Sequence, residues 1–152
     1  MSLQLYLANR WIRRHEPTRA EIVALLAIAD RDIQQSQTAG LVAEWRFDIA
    51  YNAALQLATA CLAASGFRAE RQSKHLRTLE TLEFSAGLDQ GVIGFLDVCR
   101  RKRHTAVYEQ VGAVSSSDAD GLISLVQDLR AAEGDWLRLE HPDLVESPDK
   151  PD

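Results

Sequence analysis

Apolar positions recur at steps of three and four residues through most of this chain, and those steps delimit six helices. Ile22, Leu25, Leu26, Ala29 and Ile33 form one stripe over residues 19–36. Thr18, with Glu21 three residues on, has capping-box spacing: the hydroxyl can accept a free backbone N–H and the carboxylate can reach back. Leu3, Tyr6, Leu7 and Trp11 mark a shorter helix over 2–12, stopped by His15, Glu16 and Pro17. Residues 41–65 make the longest helix. Its apolar residues cover two sides, Val42, Trp45, Ile49, Ala53 and Leu57 on one, Phe47, Ala50, Ala54, Ala58 and Cys61 on the other. An arc that wide places a helix at the centre of a bundle. Gly66 is its natural C-cap.

After a basic loop at 67–72, Ser73 is placed to cap a fourth helix over 74–85, with Leu76, Leu79 and Leu82 inward. A fifth spans 88–108. Val92, Phe95 or Leu96, Cys99 and then Arg103 fall on its stripe, and Gly91 and Gly94 read as the mark of a close helix crossing. Ser117 with Asp120 is positioned to cap a sixth helix over 118–140, whose stripe runs Leu122, Val126, Leu129 and Ala132 or Glu133. No strand pattern exceeds a few residues. The fold class is therefore all-α: a bundle of about five to six helices with a long central one, forming a single domain over 1–141. Residues 142–152 follow as a flexible, acidic, proline-rich tail.

Charge changes this picture in one place. The net charge is −5, yet residues 1–104 carry 14 Lys and Arg against 11 Asp and Glu, while residues 105–152 carry 3 against 11. The densest cationic run, Arg100-Arg101-Lys102-Arg103-His104, closes the fifth helix, with Tyr108 one turn further on. Cations at a helix C-terminus are favoured by the dipole, which accounts for Arg100, Arg101 and Lys102. It does not account for Arg103, which continues the core stripe and needs an acceptor. Asp48 and Asn52, four apart on the central helix, are candidates to orient such a group. His75 begins the fourth helix, where a cationic imidazole would oppose the dipole; a neutral or ligand-facing ring is more natural there.

Other chemistries are absent from the sequence. There is no GxxxxGK[ST], HExxH or GxSxG, and no paired Cys/His spacing that suggests a metal. No cofactor is implied. Cys61 and Cys99 read as buried free thiols of a reducing compartment. The charges near the N-terminus follow the apolar residues, the reverse of a secretory signal, and the most apolar run, 53–64, is too short to span a bilayer. A cytoplasmic protein with no membrane contact is expected.

The helix order, with the runs RFDIAYNAALQLATACLAASGFRAE (46–70), KHLRTLETLE (74–83) and CRRKRHTAVYE (99–109), resembles the HEPN superfamily of helical bundles. These domains occur beside nucleotidyltransferases, in toxin–antitoxin pairs and in RNA-processing enzymes. The resemblance implies a homodimer, RNA or a nucleotide as ligand, and a nucleotidyltransferase as a possible protein partner. The family's active members are similar to metal-independent endoribonucleases whose motif is an arginine followed, after four to six residues, by a histidine, often with asparagine directly after the arginine. Arg103 matches the arginine, His104 stands where asparagine is common, and Tyr108 stands where the histidine belongs. Tyrosine, with a pKa near 10, is a poor base at neutral pH.

The resemblance thus implies a non-catalytic or weakly active module that binds RNA or nucleotide phosphate, or a protein partner, with Arg100, Lys102 and Arg103 on the phosphate. One alternative is an endoribonuclease at a dimer cleft, with Arg103 as phosphate clamp, His104 as acid and base, Tyr108 as donor, and Asp48 and Asn52 behind them. The other is a purely structural helical dimer.

Overall fold

The computed structural model describes residues 1–108 and 112–146, the side chains of 105–108 apart. These residues form six α-helices: α1 (Leu3–Ala8), α2 (Arg19–Gln35), α3 (Ala43–Ala64), α4 (Lys74–Glu80), α5 (Gln90–Tyr108) and α6 (Ser116–Glu140). The bundle is all-α apart from one small sheet, in which β1 (Ile12–Arg14) pairs antiparallel with β2 (Phe67–Ala69).

α3 is the axis. It packs against α2 on one side and α6 on the other, with α4 and α5 closing a third. Ala53, Ala54 and Ala60 have no exposed surface, and Ala50 and Ala58 almost none. Side chains this small let neighbouring backbones come close, and the larger residues then interdigitate around them. Phe47, Tyr51 and Leu57 from α3 meet Leu82, Leu96, Leu122, Val126 and Leu129 in the main core. Val42 and Trp45, expected on the buried arc, lie exposed at the start of α3. The apolar arc closes only from Phe47 onward.

Helix ends follow local chemistry, with corrections to the expected caps. Thr18 Oγ1 accepts from Glu21 N at 3.2 Å. The Glu21 carboxylate does not return to close the box; it accepts from His15 Nε2 at 2.7 Å. The capping box of α6 is built by Ser115 and Asp118, two residues earlier than expected. Ser117 and Asp120 have the same spacing, but Asp120 is drawn to Arg46 of α3. Ser73 makes no side-chain cap and adopts a left-handed φ of 54°. Gly66 does end α3, at φ +96°.

The main departure is the sheet. α1 stops at Ala8, and Arg10 turns the chain at φ 59° so that Ile12 pairs with Ala69, Arg13 with Arg68 and Arg14 with Phe67. Residues 67–69, expected as loop, are thereby a strand. Its inward residues Phe67 and Ala69 join Tyr6, Ile12 and Leu62 in a second, smaller core. Residues 142–146, expected within the tail, dock: Pro142–Leu144 form a 3-10 turn, Leu144 and Val145 pack beside Ile22 and Leu137, and Arg19 Nε donates to the Glu146 carbonyl at 2.7 Å. Residues 147–152 lie outside the described residues. Gly91 and Gly94 are surface positions on α5, and a Cβ at Gly94 would meet nothing within 4 Å, so they mark no helix crossing. No helix among the described residues is long and apolar enough to cross a membrane.

Glu133 is the unusual member of the core. It is fully buried, where the stripe of α6 left a choice between Ala132 and Glu133. Its Oε2 accepts from Cys61 Sγ at 2.9 Å and its Oε1 from Ser85 Oγ at 2.9 Å, which ties the turn after α4 to α3 and α6. Burial raises its pKa above the usual carboxylate range, and these donors offset the shift only in part. Cys61 and Cys99 are buried free thiols.

Two outcomes are expected from this packing. Leu57→Ala, at a position with no exposed surface on the axis helix, should destabilise the fold by about 2–5 kcal/mol in chemical denaturation; a loss below about 1 kcal/mol would mean that α3 is not the packing axis. The second concerns pH. A folded Glu133 pKa above the unfolded value means that the native state holds the proton more tightly. The stability this gives is complete below the unfolded pKa and is lost as pH rises through the folded one. Glu133→Gln removes that titration, so the melting temperature of the variant relative to the parent should rise from acid to neutral pH. A pH-independent difference would sink this account.

Candidate functional site

The residues singled out at the end of α5 do not form one patch; the helix distributes them over its circumference. Arg103 turns inward to α3, where its Nε donates to Asp48 Oδ1 and its guanidinium lies 5.2 Å from the centroid of the Tyr51 ring. The carboxylate and the ring face hold the cation together, the one by charge and hydrogen bond and the other by its quadrupole. Asp48 therefore meets the basic group of the neighbouring helix, as its position on α3 suggested. Asn52 does not. One turn further along α3, its Nδ2 donates to Asp32 Oδ2 of α2 at 2.6 Å, and Asp32 is held in turn by Arg31. A step of four residues on a helix advances the side chain about 40°, and here that rotation is enough to send Asn52 to a different neighbour.

Arg100 pairs with Asp97 one turn earlier, through Nη2 at 2.9 Å, and Arg101 shares the same carboxylate at 3.3 Å. Lys102 points away from both, toward the start of α6, where its Nζ lies 3.0 Å from Asp118 Oδ2. Asp118 is the residue that closes the α6 capping box, so Lys102 is a structural brace between α5 and α6. Its expected place on a phosphate with Arg100 and Arg103 is not what the structure brings together. His104 is exposed. Tyr108 ends α5, and its side chain lies outside the described residues.

The residue that joins this neighbourhood is His75. Its Nδ1 lies 3.5 Å from the Tyr51 hydroxyl, at the long end of a hydrogen bond; with the proton on Nε2, the phenol donates to it. Tyr51 is almost fully buried, and desolvation pushes its pKa up to about 12 despite Arg103 and Arg100 nearby, so it is a donor and not a base at neutral pH. The His75 pKa is lowered, first by partial desolvation and then by the cations Arg103, Lys74 and Arg100. Arg71, Lys74, His75 and Arg100 line an open pocket of about 510 Å³ at the corner where α4 meets α5. No carboxylate lines it. Among the described residues, no group of three or more His, Cys, Asp and Glu could hold a metal ion.

His75 was visible in the sequence as a histidine at a helix start. Its meeting with Tyr51 and Arg103 was not, because the three come from α4, α3 and α5. The titration of His75 should therefore fall below its ordinary 6.5 when followed by NMR, and Arg103→Gln should move it upward by removing one nearby cation; a midpoint at or above the ordinary value would refute the placement. No family model, curated protein or solved structure matches this chain.

Proposed function

We propose that this chain is a non-catalytic, HEPN-like module that holds an RNA or nucleotide phosphate at the corner of α4 and α5. The observation that carries the reading is the pocket lined by Arg71, Lys74, His75 and Arg100 without a carboxylate. A dianionic phosphate placed there would meet several donors, two of them the guanidiniums of Arg71 and Arg100, a group able to bind in a bidentate fashion. Arg103 serves from behind, since Asp48 and Tyr51 hold it against α3. It contributes positive potential to the pocket rather than a direct grip. A non-catalytic role is supported by Tyr51, which keeps its proton, and by Lys102, which is committed to Asp118.

The HEPN resemblance adds a homodimer and a nucleotidyltransferase or toxin–antitoxin-type partner, and the sequence itself adds a cytoplasmic setting. The exposed Phe95 and Val98 on α5, beside Gly91 and Gly94, support a self-association face. The buried free Cys61 and Cys99 accord with a reducing compartment. A solution mass of two chains is the expected result.

The binding is tested by calorimetry with AMP and a short RNA at low salt. Arg100→Gln should weaken either ligand about tenfold, the loss of one charge-assisted contact at ~1.4 kcal/mol. If neither ligand binds the parent protein, the reading fails.

A second reading is favoured by His75 alone. A histidine with a lowered pKa is neutral at pH 7 and can accept a proton. Set near Arg103, it could replace the histidine that Tyr108 displaces and support metal-independent RNA cleavage. That activity would persist in EDTA and be lost in His75→Gln. RNA left intact by the parent protein removes this alternative and leaves the first untouched.

A further inference from the structure

The pairing of cations with carboxylates is uneven over this molecule. On α5 every described arginine and lysine touches an aspartate: Arg100 and Arg101 touch Asp97, Lys102 touches Asp118 and Arg103 touches Asp48. Arg46, Arg77, Arg130 and Arg138 are likewise paired. The hairpin is different. A groove of about 1090 Å³ runs over β1, β2 and the chain leading into α4, and it is lined by Arg10, Arg13, Arg14, Arg68, Arg71 and Lys74 with a single acid, Glu70. Among the described residues, Arg10, Arg14, Arg71 and Lys74 make no ion pair. Arg13 reaches Glu70, and Arg68 reaches Glu21, only at 3.7 and 3.8 Å.

The backbone holds these charges together against their repulsion. Arg13 and Arg68 are direct cross-strand partners, an arrangement of like charges that disfavours pairing of the strands. Among the described residues, the two non-glycine residues with positive φ, Arg10 at 59° and Ser73 at 54°, both stand at the ends of the segments that line this groove. An L-residue held in that conformation is strained, and strain of this kind persists where the surroundings impose it. The second core beneath the hairpin, with Tyr6, Ile12 and Phe67, does the imposing.

We infer that the hairpin groove is a track for the sugar–phosphate backbone of a polynucleotide, continuous with the α4–α5 pocket through Arg71 and Lys74, which line both. The inference rests on the phosphate-binding reading above and extends its ligand from a mononucleotide to a strand. Five guanidiniums and one ammonium in a concavity match a row of phosphates, which each arginine can meet with a planar fork. No aromatic ring lines the groove, so bases have nothing to stack on and contact is with the backbone. A membrane surface is a poorer fit: the cations line a concavity, and the groove offers no exposed aromatic or large apolar side chain for insertion.

The experiment is fluorescence anisotropy with a labelled 20-nucleotide RNA on the full chain, over a range of salt. AMP, polyglutamate and phosphatidylserine vesicles serve as competitors. Arg10 and Arg14 are exposed and lie on the hairpin side only, away from the α4–α5 pocket. Arg10→Gly with Arg14→Gln should weaken the RNA at least tenfold and flatten the log–log salt dependence by about 1–2, as two phosphate contacts require. It should leave AMP binding unchanged. Arg10→Gly alone should raise the melting temperature while weakening RNA, because glycine accepts φ 59° without strain; this separates lost binding from lost folding.

If the 20-mer binds as tightly to the double variant as to the parent, and only Arg100→Gln weakens it, the track is overturned and the α4–α5 pocket stands. Displacement of the RNA by polyglutamate or vesicles at equal charge concentration overturns a polynucleotide ligand. Failure of both AMP and the 20-mer to bind overturns the phosphate reading and the track together.

Discussion

Ala50, Ala53, Ala54, Ala58 and Ala60 set small side chains between the large ones, Phe47, Tyr51 and Leu57, on the buried arc of α3, and this is the constraint the rest of the structure obeys. Close approach of α2 and α6 to that arc fixes where every other element must go. Tyr51 is buried in this core, and its ring provides the surface on which Arg103 rests. The same approach brings Glu133 of α6 against Cys61 of α3, deep enough that burial raises the pKa of the carboxyl. The corner of α4 and α5 inherits its geometry from this arrangement. His75 reaches Tyr51 because Leu79 and Leu82 seat α4 and its following turn in the core that α3 organises.

Electrostatics then divides the surface. The carboxylates that satisfy α5 come from three sources: Asp97 on the helix itself, Asp48 on α3 and Asp118 at the start of α6. Each does more than neutralise. Asp48 positions Arg103 against an aromatic face, and Asp118 closes a capping box while bracing Lys102, with its pKa lowered first by the Ser115 backbone amide and next by its hydrogen bond to Lys102. Lys102 and Arg103, committed in this way, have little left to offer an external anion without breaking a native contact, whereas Arg100 pairs with Asp97 on its own helix and still lines the α4–α5 pocket. The run that dominates the sequence is thus largely internal wiring. The hairpin and the entry to α4 carry Arg10, Arg14, Arg71 and Lys74, which make no ion pair among the described residues.

Helical periodicity made the six helices, their order and the central place of α3 legible in the chain. Arg103 was legible too, because a guanidinium on a core stripe requires a partner and Asp48 had a matching position. The cap of α6 was misplaced by two residues because Ser115–Asp118 and Ser117–Asp120 share one spacing; only Arg46, on a different helix, decides which aspartate is free to cap. The sheet could not be read because Ile12–Arg14 and Phe67–Ala69 are three residues each, too short for alternation to register. With the sheet went the groove. Arg13 and Arg68 become neighbours only through pairing across more than fifty residues of intervening chain. A count of charge along segments puts Arg13 at the basic end of the first helix and Arg68 in a basic loop, with nothing to join the two.

The distribution of acid and base bears on how a polyanion would approach. The C-terminal third holds the excess of carboxylates, 11 against 3 cations from residue 105 onward, and α6 contributes no residue to the hairpin groove. α6 packs on α2 and α3, whereas the hairpin packs against α1, α3 and α4. α3 therefore separates an acidic element from a basic one, and a net charge of −5 conceals a dipolar surface. A strand of phosphates would be repelled by one face and drawn to the other, so the orientation of an encounter would be set before any contact formed. That argument also explains why the groove needs so few competing carboxylates. A nearby acid for each arginine would relieve the cross-strand repulsion of Arg13 and Arg68, but it would erase the field that distinguishes this face from the rest of the molecule.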